Sequence, residues 1–139
     1  MRGVAGMIRL QKWQLDVKRR ELAGLENMRD DLLARKKGIE QELIAEQSAA
    51  TNPEVSFSYA GFAEASFERR RKLEDSIREV DASIEAKKLE VSEIFQELKK
   101  FEIIDERHQE REKVALGRKV QNELDEISLN MFRRASLPR

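Results

Sequence analysis

Apolar residues recur at alternating steps of three and four along the second half of the chain. Between residues 73 and 101 this spacing holds apolar residues at eight of nine positions, and Lys87 is the exception. A strict alternation sustained over four heptads is typical of a coiled coil rather than of a globular amphipathic helix. The predicted seam of this helix consists of Leu73, Ile77, Val80, Ile84, Val91, Ile94, Leu98 and Phe101.

The first half of the chain carries a weaker version of the same pattern. Six of nine positions between residues 15 and 43 are apolar, and Lys18, Arg29 and Lys36 occupy the other three. The predicted seam residues of this helix are Leu15, Leu22, Leu25, Leu32, Ile39 and Leu43. Two such seams in one chain predict that the two helices pair with each other.

Pro53 marks the only break inside this pattern. It lies in residues 48–58, a stretch poor in charge, and a proline restricts the residue before it to extended backbone. We therefore predict a first helix over about residues 5–49, a loop over about 50–59 and a second helix over about 60–134. The predicted fold is all-α: residues 1–139 form a single antiparallel two-helix coiled-coil hairpin whose second helix is longer than the first.

Two registers align the seam of one helix with the seam of the other. In the 116 register, where facing residue numbers add to 116, Leu32 faces Ile84 and Arg29 faces Lys87. In the 109 register this contact between two cations is removed, but fewer layers are apolar. We favour the 116 register for its apolar layers. The start of the first helix then lies near residue 108 of the second helix. The second helix therefore continues beyond its partner, and about residues 109–134 form an unpaired overhang.

Charge and composition narrow the class of protein. Lys and Arg number 27, as do Asp and Glu, whereas a nucleic-acid binder usually has a basic excess. The basic run of residues 69–72 is interpreted as a solvated helix face, because Glu68 and Glu74 can pair with Lys72 and Arg78. The chain has no cysteine and no apolar run of 18 residues, so we expect a soluble intracellular protein without disulfides or a transmembrane helix.

The sequence offers no residues for catalysis or cofactor binding. His108 is the only histidine, and it has Asp105 and Glu112 within one helical turn but no second histidine or cysteine to complete a metal site. Carboxylates on an exposed helix have nothing to desolvate them, so none gains the raised pKa of a general acid. We therefore expect no catalytic, cofactor or metal site, and no enzymatic activity.

Interaction features are more prominent. The overhang carries an apolar stripe spaced four, three and four residues apart, which consists of Val120, Leu124, Ile127 and Met131. This stripe must bind another protein, pair with a second copy of the chain, or fold back onto Met7 and Ile8. A second candidate for interaction is a group of four aromatic residues near the predicted loop: Phe57, Tyr59, Phe62 and Phe67. These aromatics either close the open end of the coiled coil, which we favour, or contact a partner.

Several runs along the chain resemble FliJ, the small coiled-coil component of bacterial flagellar type III export, and in particular its alphaproteobacterial branch. The similar segments are residues 8–20, 98–102, 106–107 and 124–127. Trp13 stands where the family has a phenylalanine. The resemblance implies a cytoplasmic protein at the inner-membrane base of the flagellum, shaped like the γ stalk of rotary ATPases.

The resemblance also implies partners. Family members bind the export ATPase hexamer and the export gate protein and escort export chaperones; neither nucleic-acid binding nor direct insertion into the membrane is implied. On this chain the resemblance assigns residues 124–127 to the ATPase-facing end. The candidate partner-binding residues are Val120, Leu124, Asp125, Glu126, Ile127 and Met131. The family's gate-contacting patch cannot be placed, because Arg71 and Glu74 occupy positions that should be apolar. The alternative is a self-associating structural or scaffold coiled coil unrelated to export.

Overall fold

The protein consists of two long helices. The computed structural model describes residues 2–50 and 53–136, and for Arg2 and residues 53–56 it describes the backbone only. Helix α1 spans Arg2–Ala49 and helix α2 spans Pro53–Ser136, and no strand occurs within these described ranges. The two helices pack against each other in antiparallel directions, and α2 is the longer, so the predicted fold class is confirmed.

The start of α2 corrects the predicted loop. We expected a loop to about residue 59, but α2 is already helical at Pro53. Proline is favoured in the first turn of a helix, where its missing N–H would have no partner in any case. The predicted loop is therefore too long by about two turns, and its residues 51–52 lie outside the described residues. At the other ends, α1 begins at Arg2 rather than near residue 5, and α2 ends at Ser136.

The described residues fall into two compact units, each built from both helices. The first, here called the hairpin unit, is Trp13–Phe95, and the second, the terminal unit, comprises residues 2–12 and 96–136. In the hairpin unit every predicted seam residue is buried or half-buried. Its buried apolar residues are Leu15, Ile39, Leu43, Ala63, Val80 and Ile84. Near the end of the hairpin, Tyr59, Phe62 and Leu73 pack against the cluster of Ile39, Leu43 and Ala63.

Ion pairs between the helices of the hairpin unit fix its register. Lys87 Nζ lies 2.8 Å from Glu21 Oε2, and Lys18 Nζ lies 3.3 Å from Glu90 Oε2. Two further pairs join Arg29 to Asp81 (2.9 Å) and Lys36 to Glu74 (3.5 Å). The residue numbers in these pairs add to 108 or 110, which is the 109 register.

The expected 116 register is therefore wrong. The 109 register gives each basic seam residue a carboxylate on the opposite helix. It also separates Arg29 from Lys87, which the number of apolar layers does not reflect. It also places Ser66, a small side chain with 0% exposure, at the level of Leu43. The observed register thus combines close packing of a small residue near the turn with ionic contacts along the seam.

In the terminal unit the seam ends within α2. Leu98 is buried, and Phe101, Asp105 and His108 are half-buried, as are Val4 and Ile8 of α1. Every side chain from residue 109 to residue 136 is exposed, which includes the whole predicted overhang. The covered part of α2 thus ends at His108, two seam positions after the last apolar seam residue, Phe101.

Candidate interaction surface

The apolar stripe of the overhang is fully open to solvent. The exposed fraction of its side chains is 46% at Val120, 53% at Leu124, 55% at Ile127 and 66% at Met131. A helix with 3.6 residues per turn places residues four, seven and eleven apart on one face. The four side chains therefore form one continuous apolar face along about three turns of α2.

Sequence reasoning missed one member of this face. Leu116 precedes Val120 by one turn and is 63% exposed, so it extends the stripe by one turn at its N-terminal end. Its spacing of four residues from Val120 was a sufficient signal. Leu129 and Phe132 are also exposed, at 55% and 71%, but they lie on other faces of the helix. The end of α2 is thus apolar on more than one side.

Charged residues around the stripe are arranged in blocks. Asp125 and Glu126, the two charged candidate residues, are exposed beside the stripe, and Gln121 Nε2 donates a hydrogen bond of 3.0 Å to Asp125 Oδ1. This acidic centre is preceded by Arg118 and Lys119 and followed by Arg133 and Arg134. At about 100° per residue, however, Asp125 and Glu126 lie well around the helix from the centre of the stripe, so a partner that covers the stripe need not contact them.

The stripe does not fold back onto the start of the chain. Within the terminal unit α2 stays helical through Ser136, and the stripe residues remain exposed. Met7 is itself 38% exposed, while Ile8 is half-buried. Of the three fates that the sequence left open for the stripe, contact with Met7 and Ile8 is therefore wrong.

The aromatic group near the turn divides into two pairs. Tyr59 and Phe62 pack against the buried cluster at the end of the hairpin, as expected for residues that close a coiled coil. Phe57 is 88% exposed and Phe67 is 49% exposed, and the guanidinium of Arg70 lies 5.3 Å from the centre of the Phe67 ring. Only half of the group therefore serves the role that the sequence favoured.

The basic run of residues 69–72 is largely engaged by neighbours on its own helix. Arg69 donates a hydrogen bond of 3.1 Å to Ser66 Oγ, and Arg71 pairs with Glu68 at 2.8 Å. These contacts replace the predicted pair between Glu68 and Lys72, and Arg78 pairs with Asp75 instead of Glu74. The run therefore makes local contacts on its own helix, although neither of the two predicted ion pairs forms.

The ion pairs around Lys87 shift the pKa values of the groups that form them. A hydrogen bond from Lys87 lowers the pKa of Glu21, and the same contact raises the pKa of Lys87. Lys87 and then Lys18 lower the pKa of Glu90. These shifts keep all the groups charged, which suits ion pairing and opposes proton transfer near neutral pH.

His108 is half-buried, and its Nε2 lies 3.0 Å from Glu112 Oε1. In the described part of the chain no group of three or more histidine, aspartate or glutamate side chains is placed to hold a metal ion. Within the same residues neither helix contains a stretch both long and apolar enough to cross a membrane. The surface that stands out is the stripe on the overhang.

No protein-family model matches the chain, and comparisons with curated proteins and with solved structures likewise gave no match. The class of protein is therefore defined by the fold alone: an antiparallel two-helix coiled-coil hairpin. Its most prominent surface feature is an exposed apolar stripe on the part of α2 that α1 does not cover.

Proposed function

We propose that the protein is a non-enzymatic coiled-coil component of the bacterial flagellar type III protein export apparatus. In this role it acts in the cytoplasm at the inner-membrane base of the flagellum, where it binds the export ATPase hexamer and the export gate and escorts export chaperones. The resemblance of residues 8–20, 98–102, 106–107 and 124–127 to the FliJ family motivates the proposal.

The observation that carries the proposal is the exposed stripe of Val120, Leu124, Ile127 and Met131. These apolar side chains are 46–66% exposed and share one helix face. Covering them with a partner removes apolar surface from water, which stabilises the complex. They lie in the same segment as residues 124–127, which resemble the family. We infer that this end of α2 enters the ATPase and that the seam serves as a rigid support.

A second candidate function uses the same stripe. Two copies could pair through their overhangs and make a structural or scaffold coiled coil. An antiparallel pair that matches the stripe with itself sets Val120 against Met131 and Leu124 against Ile127 of a second copy. The positions that flank the stripe, 121, 123, 128 and 130, hold a single charged residue, Glu123, so charge neither supports nor opposes this pairing.

The experiment is a binding measurement between the full chain and the purified export ATPase of the same organism. Leu124→Asp/Ile127→Asp should lower the affinity on the order of tenfold or more, because central apolar anchors dominate interface energies. Ile44→Asp/Leu89→Asp is the matched control, since these side chains are 65% and 61% exposed but lie in the hairpin unit. The proposal fails if the unaltered chain does not bind the ATPase.

Sedimentation of the unaltered chain separates the two candidates. If the chain sediments as a monomer at every concentration, the self-associating coiled coil is ruled out. A dimer that Leu124→Asp/Ile127→Asp dissociates would replace the export proposal with the structural one.

A further inference from the structure

The basic residues of the seam are all ion-paired with the opposite helix. Lys18, Arg29 and Lys36 of α1 and Lys87 of α2 occupy seam positions, where a coiled coil usually holds apolar side chains. Each makes an ion pair with a carboxylate of the opposite helix, at N–O distances from 2.8 to 3.5 Å. The observed register is the one that satisfies all of them.

Directly facing pairs of apolar seam residues are more numerous in a second register than in the observed one. Within the hairpin unit the 109 register has three layers in which both residues are apolar: Leu15 with Ile94, Leu25 with Ile84, and Leu32 with Ile77. The 116 register has five: Leu22 with Ile94, Leu25 with Val91, Leu32 with Ile84, Ile39 with Ile77, and Leu43 with Leu73. The hydrophobic pattern thus supports a second alignment of the same two helices.

The ionic contacts that oppose the 116 register centre on two residues. When α1 moves along α2 by seven residues, Arg29 lies beside Lys88 instead of Asp81, and it faces Lys87 directly. After the same movement the neighbour of Lys87 on α1 is Met28 instead of Glu21. Lys36, by contrast, keeps a carboxylate, because Asp81 takes the place of Glu74. Arg29 and Lys87 are therefore the seam residues that distinguish the two registers electrostatically.

We propose that the hairpin unit is a two-register device, in which the charges at Arg29 and Lys87 hold the observed register and a change of charge there slides α1 along α2. The slide covers seven residues, or roughly 10 Å at the rise of an α-helix. It is a property of the hairpin unit and does not depend on the proposed function.

Residues near the end of the hairpin oppose the slide in two ways. The turn of the 116 register is centred on Ser58, which lies within α2, so the first turns of this helix, from Pro53, must unwind. Phe57 is 88% exposed and loses little packing, but Tyr59 and Phe62 must leave the cluster around Leu43. The ionic layer, this cluster and the start of α2 are therefore the restraints on the observed register.

Disulfide trapping measures the register directly, because the chain has no cysteine of its own. Leu25→Cys/Ile84→Cys joins residues that face each other in the 109 register, and Leu32→Cys/Ile84→Cys joins residues that do so in the 116 register. A disulfide needs Cα atoms about 4.4–6.8 Å apart, so one register cannot satisfy both pairs. The two leucines are both half-buried, and the Ile84→Cys substitution is common to the two variants. The readout is the intramolecular cross-linked fraction of the full chain in a glutathione buffer.

In the otherwise unaltered chain we expect the 25–84 cross-link to predominate. Arg29→Glu sets a glutamate beside Asp81 in the present register and beside Lys87 and Lys88 in the other. The ratio of 32–84 to 25–84 cross-links should therefore rise by roughly tenfold, which is the combined effect of reversing several exposed charge contacts. Arg20→Glu, in which the arginine pairs with Asp16 of its own helix, should leave the ratio unchanged.

Arg29→Glu/Asp81→Lys restores the ion pair with reversed polarity and should return the ratio to that of the unaltered chain. An unchanged ratio in Arg29→Glu would overturn the proposal. Loss of both cross-links would also overturn it, since Arg29 would then be needed for pairing in any register.

Discussion

Lys87 Nζ lies 2.8 Å from Glu21 Oε2 of the opposite helix and 3.0 Å from Glu90 Oε2 of its own helix. The only polar side chain among the nine seam positions of α2 is thus held between two carboxylates and is 20% exposed. An isolated ammonium group at this depth would destabilise the seam, whereas a paired one restricts the alignments that the helices can adopt. This layer is the basis of the first prediction.

The stabilising effect of Glu21 should depend on pH. Its pKa is lowered in the folded protein, so its contribution is present above the ordinary pKa of glutamate, about 4.3, and is lost as the pH falls through the lowered value. The pKa of Lys87 is raised, so the same contact is fully present below the ordinary pKa of lysine, about 10.4, and is lost as the pH rises through the raised value. The Tm difference between the unaltered chain and Glu21→Gln should be largest near pH 7 and should shrink as the pH falls below about 4.3.

Glu85→Gln is the control for this measurement, because Glu85 pairs with Lys88 on its own helix and is 74% exposed. Its Tm difference should be small at every pH. A Tm difference for Glu21→Gln that stays constant from pH 3 to pH 7 would mean that shape, and not charge, is responsible.

The centre of the seam should not tolerate a charge. Ile84 is 4% exposed, and Ile84→Asp places a carboxylate there with no partner. We expect a loss of about 4 kcal/mol in the free energy of unfolding, enough to unfold the hairpin unit, because a buried charge without a partner is among the most destabilising changes. Leu89→Asp, at a position that is 61% exposed on the same helix, should change it by only about 0.5 kcal/mol. Urea denaturation followed by circular dichroism distinguishes the two outcomes.

The seam could be predicted from the sequence, whereas its register could not. Periodicity depends only on the order of residues within one helix, and Leu15, Ile39 and Ile84 are buried where the pattern placed them. Register depends on small differences between many contacts across two helices. The number of apolar layers favours one alignment, whereas the ion pair between Arg29 and Asp81 forms in the other.

The start of α2 and the division of the aromatics were also beyond the sequence pattern. Residues 53–59 are poor in charge, which is typical of a loop, but packing of Tyr59 against the end of the hairpin stabilises helix there. Whether Phe57 or Tyr59 is covered depends on which face of that helical turn meets α1. The stripe was predictable because its four, three and four spacing is a property of α2 alone.

Gly24 should limit the stability of α1. It lies in the interior of the helix, its φ angle is negative, and a Cβ atom added to it would meet nothing within 4 Å. Gly24→Ala should therefore raise the free energy of unfolding by about 1 kcal/mol, because alanine loses less backbone entropy in a helix. Ala23→Gly, at an exposed neighbouring position, should lower it by a similar amount. A decrease in stability for Gly24→Ala would show that the site is crowded in solution.

The stripe should contribute little to the stability of the folded chain. Leu124 and Ile127 are more than half exposed, and every residue from 109 to 136 lies beyond the covered part of the seam. Leu124→Asp/Ile127→Asp removes almost no buried apolar area, so the free energy of unfolding should fall by less than about 1 kcal/mol, mostly through the lower helix propensity of aspartate. Thermal unfolding of the variant and the unaltered chain at the same concentration provides the measurement. A loss comparable to that of Ile84→Asp would mean that the stripe is covered within the molecule or by a second copy in solution.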